Sequence, residues 1–274
     1  MNSAGSRIRT YDRSLLLSGP KRNDVLDLRE VNQYGRDSFG DPDYVSIYGL
    51  TPAEWYARGV RMLGRTAVEC TRDRLAELVA SDISAVARTA PAVSGSVVID
   101  PFAGSGNTLY WIRRRVGAGS GIGFELDAAV LAATRRNLAI VGLDIELLHE
   151  DYETGLRALR IAQDQLLIAF VAPPWGDALS RESGLDLRRT QPPVAGVVDF
   201  FATTFPRHRL LIGIQVHETV DPDTVADVTS KFDWSTLKIY ETDPPGRNHG
   251  LLLGTRGWTA GAESLQSPER MEEE

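Results

Sequence analysis

The chain has 274 residues, 42% of them apolar and 24% charged, which fits one large core or two small ones and excludes wholesale disorder. A formal net charge of −7 argues against a self-sufficient nucleic-acid binder, because such proteins neutralise phosphates with a basic face. The lone Cys70 excludes an internal disulfide and a cysteine metal cage, no apolar run reaches the roughly 18 residues of a membrane span, and residues 1–13 lack the apolar stretch of a signal peptide, so a reducing cytoplasm is the expected setting.

Residues 1 to about 45 are rich in Arg, Asp, Gly and Ser without sustained periodicity, and read as an arm or an irregular cap. "TPAE" at Thr51–Glu54 is a capping box with proline at the first helical position, and predicts a helix through Trp55, Tyr56 and Met62. In "TRDRLAELVA", Leu75, Leu78 and Val79 fall on one helical face. An N-terminal arm and helical cap is thus expected over 1–90, with a Gly- and Pro-containing linker at 89–95.

From Ser96 the texture changes. "SVVIDPF" predicts a buried strand, "NTLYWIRRRVG" a helix stopped by Gly117, and "GIGFEL" the next strand. "DAAVLAATRRNLAIVG" is a helix with Asp127 as N-cap and Gly142 just past its end. "IELLHED", "LLIAFV" and "RLLIGIQV" predict three more strands, "DPDTVADVTSKF" a helix, and "STLKIYETD" and "GLLLGTRG" the last strands. Strands alternating with helices predict an α/β fold: a doubly wound, mostly parallel seven-stranded sheet over 91–259, with an N-terminal helical extension. The tail 260–274, ending "RMEEE", is expected to be mobile.

Two glycine runs compete for a ligand loop. "DPFAGSGNT" (Asp100–Thr108) leaves a strand and opens a helix, as a cofactor loop must; "GAGSGIG" (Gly117–Gly123) leaves a helix and enters a strand, so it reads as a connection. Leu109 stands where a dinucleotide fingerprint needs its third glycine, which counts against NAD. Glu125 follows Gly104 by 21 residues, the place for a carboxylate on ribose hydroxyls, and Asp151 ends the third strand, placed for an adenine amino group or nearby backbone. Each acid alone reads equally as a helix cap or solvated strand end. Asp100, Glu125 and Asp151 at successive carboxyl ends around one glycine loop define a crevice.

Over roughly Thr71 to Arg256 this order resembles the class I S-adenosylmethionine-dependent methyltransferases. The resemblance implies S-adenosyl-L-methionine as cofactor. It further implies that Asp100, Phe102, Gly104 and Gly106 surround the methionine moiety, Glu125 holds the ribose, and Asp151 with Tyr152 contacts adenine, with Asn107 and Leu126 also at the cofactor. Thr71 occupies the place of the motif that precedes the glycine loop in amino-methyltransferases, and reads equally as a plain N-cap.

"LLIAFVAPPWGD" (Leu166–Asp177) ends an apolar strand in two prolines, which lack N–H groups and have φ fixed. As a bare strand stop they turn the chain; beside the crevice they also aim carbonyl oxygens with no amide nearby. A ring-attached amine must pyramidalise and gain positive charge to attack a sulfonium methyl, and acceptors on its N–H bonds favour that state. "APPWG" resembles the (Asp/Asn/Ser)-Pro-Pro-(Tyr/Phe/Trp) motif of enzymes that methylate exocyclic amines of DNA and RNA, and the whole order is most similar to the trimethylguanosine synthase group, which acts on guanine N2 of capped RNA. The resemblance implies that Ala172, Pro173, Pro174 and Trp175 form the catalytic corner, with Trp175 stacking on the base and the Pro173 carbonyl accepting from the amine. Ala172 departs from the motif because it has no side-chain acceptor, leaving backbone carbonyls unless Asp177 reaches back. The expected substrate is a nucleobase amine in RNA or a nucleotide, the alternative an amine or hydroxyl of a small metabolite. His149, His208, His217 and His249 have no metal-binding spacing and read as ordinary surface or strand-end residues, though His217 and Glu218 could face the crevice after the fifth strand.

Overall fold

In the computed structural model, which describes residues 13–117, 119–180 and 182–261, Leu166, Ile168 and Phe170 face one layer of helices and Leu167, Ala169 and Val171 the other. All six are at most 2% exposed. This period of two, with both faces apolar, is what a central parallel strand requires.

The N-terminal part contains α1 (Arg13–Leu17), α2 (Leu28–Phe39), α3 (Pro52–Ala57), α4 (Gly64–Glu69) and α5 (Asp73–Ala87). There follow β1 (Gly95–Asp100), α6 (Asn107–Val116), β2 (Ser120–Phe124), α7 (Ala128–Val141), β3 (Glu146–Leu148), α8 (Tyr152–Ala158) and β4 (Gln165–Val171). A small antiparallel hairpin of β5 (Leu179–Ser180) and β6 (Gly184–Leu185) precedes α9 (Val194–Thr204), β7 (Arg209–His217), α10 (Pro222–Thr229), β8 (Trp234–Tyr240) and β9 (His249–Arg256).

The main sheet has seven strands in the order β3-β2-β1-β4-β7-β9-β8, parallel except that β9 runs antiparallel to both neighbours. The expected doubly wound α/β sheet is therefore present. Helices α5 and α6 cover one face, α8, α9 and α10 the other. The connections of β1 and β4 run to opposite sides of the sheet, so a crevice opens at their carboxyl ends. Among the described residues no helix is long and apolar enough to cross a membrane.

Residues 13–45 differ from the expected irregular arm. Asp27 and Glu30 form a capping box at the start of α2: the Glu30 N–H donates to Asp27 Oδ1 (2.9 Å) and the Asp27 N–H to Glu30 Oε2 (2.9 Å). Leu16, Val31 and Tyr34 are buried in a core that also includes Tyr110, Leu131 and Leu147 of the sheet's own elements. Helix α3 begins at its predicted cap but ends at Ala57, well before Met62, because the chain reverses through Gly59 at φ +89°. Helices α1, α2, α4, α8 and α9 lie where no helix is predicted. Of the expected tail, residues 262–274 lie outside the described residues.

Candidate active site

Strand β1 ends at Asp100, and the loop to α6 is shaped by Gly104 (φ +48°) and Gly106 (φ +68°). A side chain at Gly106 would also sit 3.1 Å from Thr134 Cγ2, so helix α7 packs directly on the loop. A Cβ at Gly104 would meet only the Phe102 carbonyl, at 3.9 Å, so its outer surface is open.

Asp100 is 3% exposed, and its Oδ1 accepts the Phe102 N–H (2.9 Å). Burial pushes its pKa up to about 7; the Phe102 N–H opposes this and the Glu125 charge adds to it. Glu125 lies one residue past β2, with Oε2 accepting from the Gly104 N–H (3.1 Å) and Oε1 from the Asp127 N–H (2.7 Å). It braces the glycine loop while each oxygen keeps a second lone pair. Leu126 beside it is 67% exposed, an uncovered apolar side chain at the rim.

Strand β3 is shorter than predicted. Asp151 lies beyond its end and caps α8, accepting from the Glu153 N–H (3.0 Å), which turns the chain into that helix. Tyr152 is buried, edge-on to Phe102 (5.4 Å) and Phe200 (5.7 Å). Asn107 is 1% exposed and joins the loop to the N-terminal segment: Nδ2 donates to the Thr71 carbonyl (2.8 Å) and Oδ1 accepts from the Tyr48 N–H (2.7 Å). Tyr48 holds the left-handed conformation (φ +59°), fixed by that bond and by its hydroxyl on the Ser105 carbonyl. The Thr71 hydroxyl donates to Gln215 Oε1 (2.7 Å).

The proline corner follows β4 directly. Pro173 is buried, Pro174 exposed and Trp175 half-buried, and the chain then tightens into the turn Gly176–Ala178, with Asp177 exposed. The Trp175 indole stacks on His249 (centroids 5.3 Å, planes 28° apart) and meets His217 edge-on (6.1 Å, 87°). His217 is the last residue of β7 and His249 the first of β9, and the two are paired across the sheet. These histidines are not scattered, as their spacing suggested. Antiparallel β9 starts at the edge where the parallel strands end, so the fold gathers both at the tryptophan. The sequence signal is only that each sits at the tip of an apolar strand.

Behind His249 stands Asp243, 3.7 Å from Nδ1, accepting from the Tyr44 hydroxyl (2.7 Å). Burial lowers the His249 pKa below its usual range; the Arg72 and His217 charges add to this and Asp243 opposes it. Burial alone would raise Asp243, but the imidazole of His249 beside it, the hydrogen bond from the Tyr44 hydroxyl and the Arg72 charge hold it below the usual carboxylate range. Asn248 Nδ2 donates to Glu218 Oε2 (2.9 Å) and holds its pKa low, while Glu218 Oε1 is buried without a hydrogen bond. A cavity of about 160 Å³ beside this group is lined by Thr71, Arg72, Gln215, Thr242, Asp243 and His249, among others. Three lining atoms are buried without a hydrogen bond: Arg72 Nη1, Thr242 Oγ1 and His249 Nδ1. Among the described residues no cluster of three or more His, Cys, Asp or Glu could hold a metal ion.

No protein-family model matches the chain, nor does any curated protein. In fold it is similar to an rRNA methylase from Streptococcus thermophilus (17% identity, 68% of this chain and 98% of that one, TM-score 0.42). It is also similar to a methyltransferase from Geobacter sulfurreducens (16%, 69% and 80%, TM-score 0.42) and a precorrin-6y C5,15-methyltransferase from Geobacter metallireducens (12%, 70% and 91%, TM-score 0.45). At such identities and scores these likenesses carry no argument about reaction or substrate.

Proposed function

We propose that the protein is an S-adenosylmethionine-dependent N-methyltransferase acting on an exocyclic amine of a nucleobase in RNA, of the guanine N2 kind. The observation that carries this reading is one shared sheet edge: a glycine loop flanked by Asp100 and Glu125, beside a Pro-Pro-Trp corner at the end of the adjacent strand β4.

The residues present fit the donor. Asp100 has an Oδ2 that takes no hydrogen bond from the protein among the described residues, suited to the donor's ammonium group. Glu125 keeps lone pairs for ribose hydroxyls, the open surface of Gly104 lets a ligand approach the backbone, and exposed Leu126 offers an apolar face to adenine, with Asp151 and Tyr152 following the neighbouring strand β3. When bound, the donor supplies a methyl carbon made electrophilic by a positive sulfur. Pro173 and Pro174 have no N–H to compete for their carbonyl oxygens, so those oxygens are free to accept from an amine and favour its pyramidal form. Trp175 supplies a flat surface that holds a planar acceptor in place.

A second reading, methyl transfer to a small metabolite, is favoured by the covered tryptophan. His249 occupies one indole face, and the adjoining cavity of about 160 Å³ has the size of a single ring. Ala172, with no side-chain acceptor, suits a more nucleophilic amine or a hydroxyl.

Calorimetry with S-adenosylmethionine tests the donor site; a folded protein that binds none would overturn both readings. Incubation with methyl-labelled donor and separate RNA, DNA and metabolite fractions tests the acceptor. Label in RNA is expected, and label confined to the small-molecule fraction would replace the first reading with the second.

A further inference from the structure

At the opposite edge of the sheet, where β7 begins and β9 ends, lies a larger cavity of about 450 Å³. Nine-residue β7 separates it from the Trp175 corner by about 26 Å, since a strand rises about 3.3 Å per residue, so its occupant cannot touch the methyl-transfer centre.

Its wall carries Arg207, Arg209 and Arg256, with His208 and the aromatic Phe205, against the single carboxylate of Asp233. Asp233 is already engaged: its Oδ2 accepts from the Gly257 N–H (2.6 Å). None of the three arginines forms an ion pair among the described residues. In a chain with 37 acidic residues against 30 basic ones, three arginines lining one cavity without an ion-pair partner are an unbalanced arrangement. Two buried atoms of the lining also lack any partner, Arg209 Nε and His208 Nδ1. His208 Nε2 is 3.3 Å from the Ile161 carbonyl, which can only accept, so the ring is held with its other nitrogen unused.

Arg256 Nη1 donates to the Lys231 carbonyl (3.1 Å), which leaves its charge without a counter-ion, and planar guanidinium groups match the oxygens of a phosphoryl group in bidentate geometry. A volume of about 450 Å³ exceeds a bare phosphate and falls among pockets that enclose a ring-bearing ligand. We propose that this cavity is a phosphate-binding site for one nucleotide unit, separate from the donor crevice. The unit is a residue of a bound RNA strand or a free nucleotide; both present the same phosphate to Arg207, Arg209 and Arg256. The site does not depend on the methyl-transfer reading, because none of its residues belongs to that edge.

The test uses the full chain and three probes: a fluorescein-labelled single-stranded RNA 12-mer read by anisotropy, with guanosine 5′-monophosphate and inorganic phosphate read by calorimetry. Arg209 Nε makes no internal bond and Arg207 is exposed, so the double variant Arg207→Ala, Arg209→Gln is expected to fold; circular dichroism and melting temperature check this. Wild-type protein is expected to bind the RNA, the mononucleotide or both, with affinity at least tenfold weaker in the double variant and unchanged in Arg58→Ala, a remote exposed arginine. Binding of RNA alone assigns the site to a strand, and binding of the mononucleotide alone assigns it to a free nucleotide. The proposal is overturned if wild type binds none of the three probes, or if the folded double variant binds them as wild type does. An equal loss in Arg58→Ala also overturns it, since diffuse charge would then explain the binding.

Discussion

Trp175 and His249 stack on each other although their strands, β4 and β9, are separated in the sheet by β7. The contact is made above the strand ends, at the edge where a parallel sheet exposes its loops. An indole packed against a pair of neighbouring histidines at that edge is pre-positioned, and little rotamer freedom is lost when a planar ligand displaces or joins the stack.

Replacing Trp175 by alanine is therefore expected to cut methyl transfer at least tenfold, in line with about 1–3 kcal/mol per stacked base. Donor affinity should stay within twofold, because the glycine loop is untouched. Label transfer and calorimetry on the same preparation separate the two effects; unaltered turnover would reduce the proline corner to a strand stop.

Asp100 predicts a pH signature. Its folded pKa, about 7, lies above the ordinary 3.8, so between these values the native state keeps a proton that the unfolded chain has lost. Stability contributed by this group falls as pH rises from about 4 to about 7, by up to about 4 kcal/mol at roughly 1.4 kcal/mol per pKa unit. Asp100→Asn should remove that slope in urea titrations and be the more stable protein at pH 8. It should also weaken donor binding and abolish the proton released when a cation enters, read from binding heats in two buffers.

His249 has the opposite slope. Its folded pKa is depressed, so as pH falls below the ordinary 6.5 the unfolded chain gains a proton that the native ring refuses, and stability is lost. His249→Gln should flatten this loss. Removing the charge behind the ring with Asp243→Asn should lower the imidazole pKa further, since Asp243 raises it; a rise in the ring's NMR titration midpoint would contradict the geometry.

Ala172→Asp restores the side-chain acceptor at the first position of the proline motif. Transfer to a nucleobase amine is expected to rise. A fall would mean that the backbone carbonyls already suffice.

Gly155 in α8 reports on packing alone. A Cβ there would come 2.1 Å from Phe124 Cε1, in a ring 1% exposed that has no room to yield. Gly155→Ala should cost about 1–3 kcal/mol in denaturant midpoint measurements.

The elements most legible in the sequence are those whose signal is local. Helix α7 runs between a side-chain cap at Asp127 and a left-handed Gly142, both of which stand out in the chain, and β4 is an uninterrupted apolar run. Helix α2 escapes because its buried stripe is only Val31, Tyr34 and Gly35 among charged residues; the capping pair Asp27 and Glu30 is its one plain mark. The glycine loop and its acids could be placed because strand-loop-helix order is sequential. The grouping of His217 and His249 with Trp175 could not, because it depends on which way the last strand runs, a property of distant pairing. The cradle of Tyr44 and Asp243 behind His249 depends likewise on a segment with no regular period.

Among the described residues the strand that carries His249 is the last element of the fold, yet it sits inside the sheet, and β8 pairs there with no other strand. During synthesis, β7 therefore presents an open edge and β8 waits unpaired until residues 249–256 leave the ribosome. The corner and the sheet are completed in one event, so a polypeptide that stops short of that strand lacks the histidine stacked on Trp175 and leaves the edge of β7 uncovered. Quality control in the cell thus meets either an unfinished sheet or a finished protein.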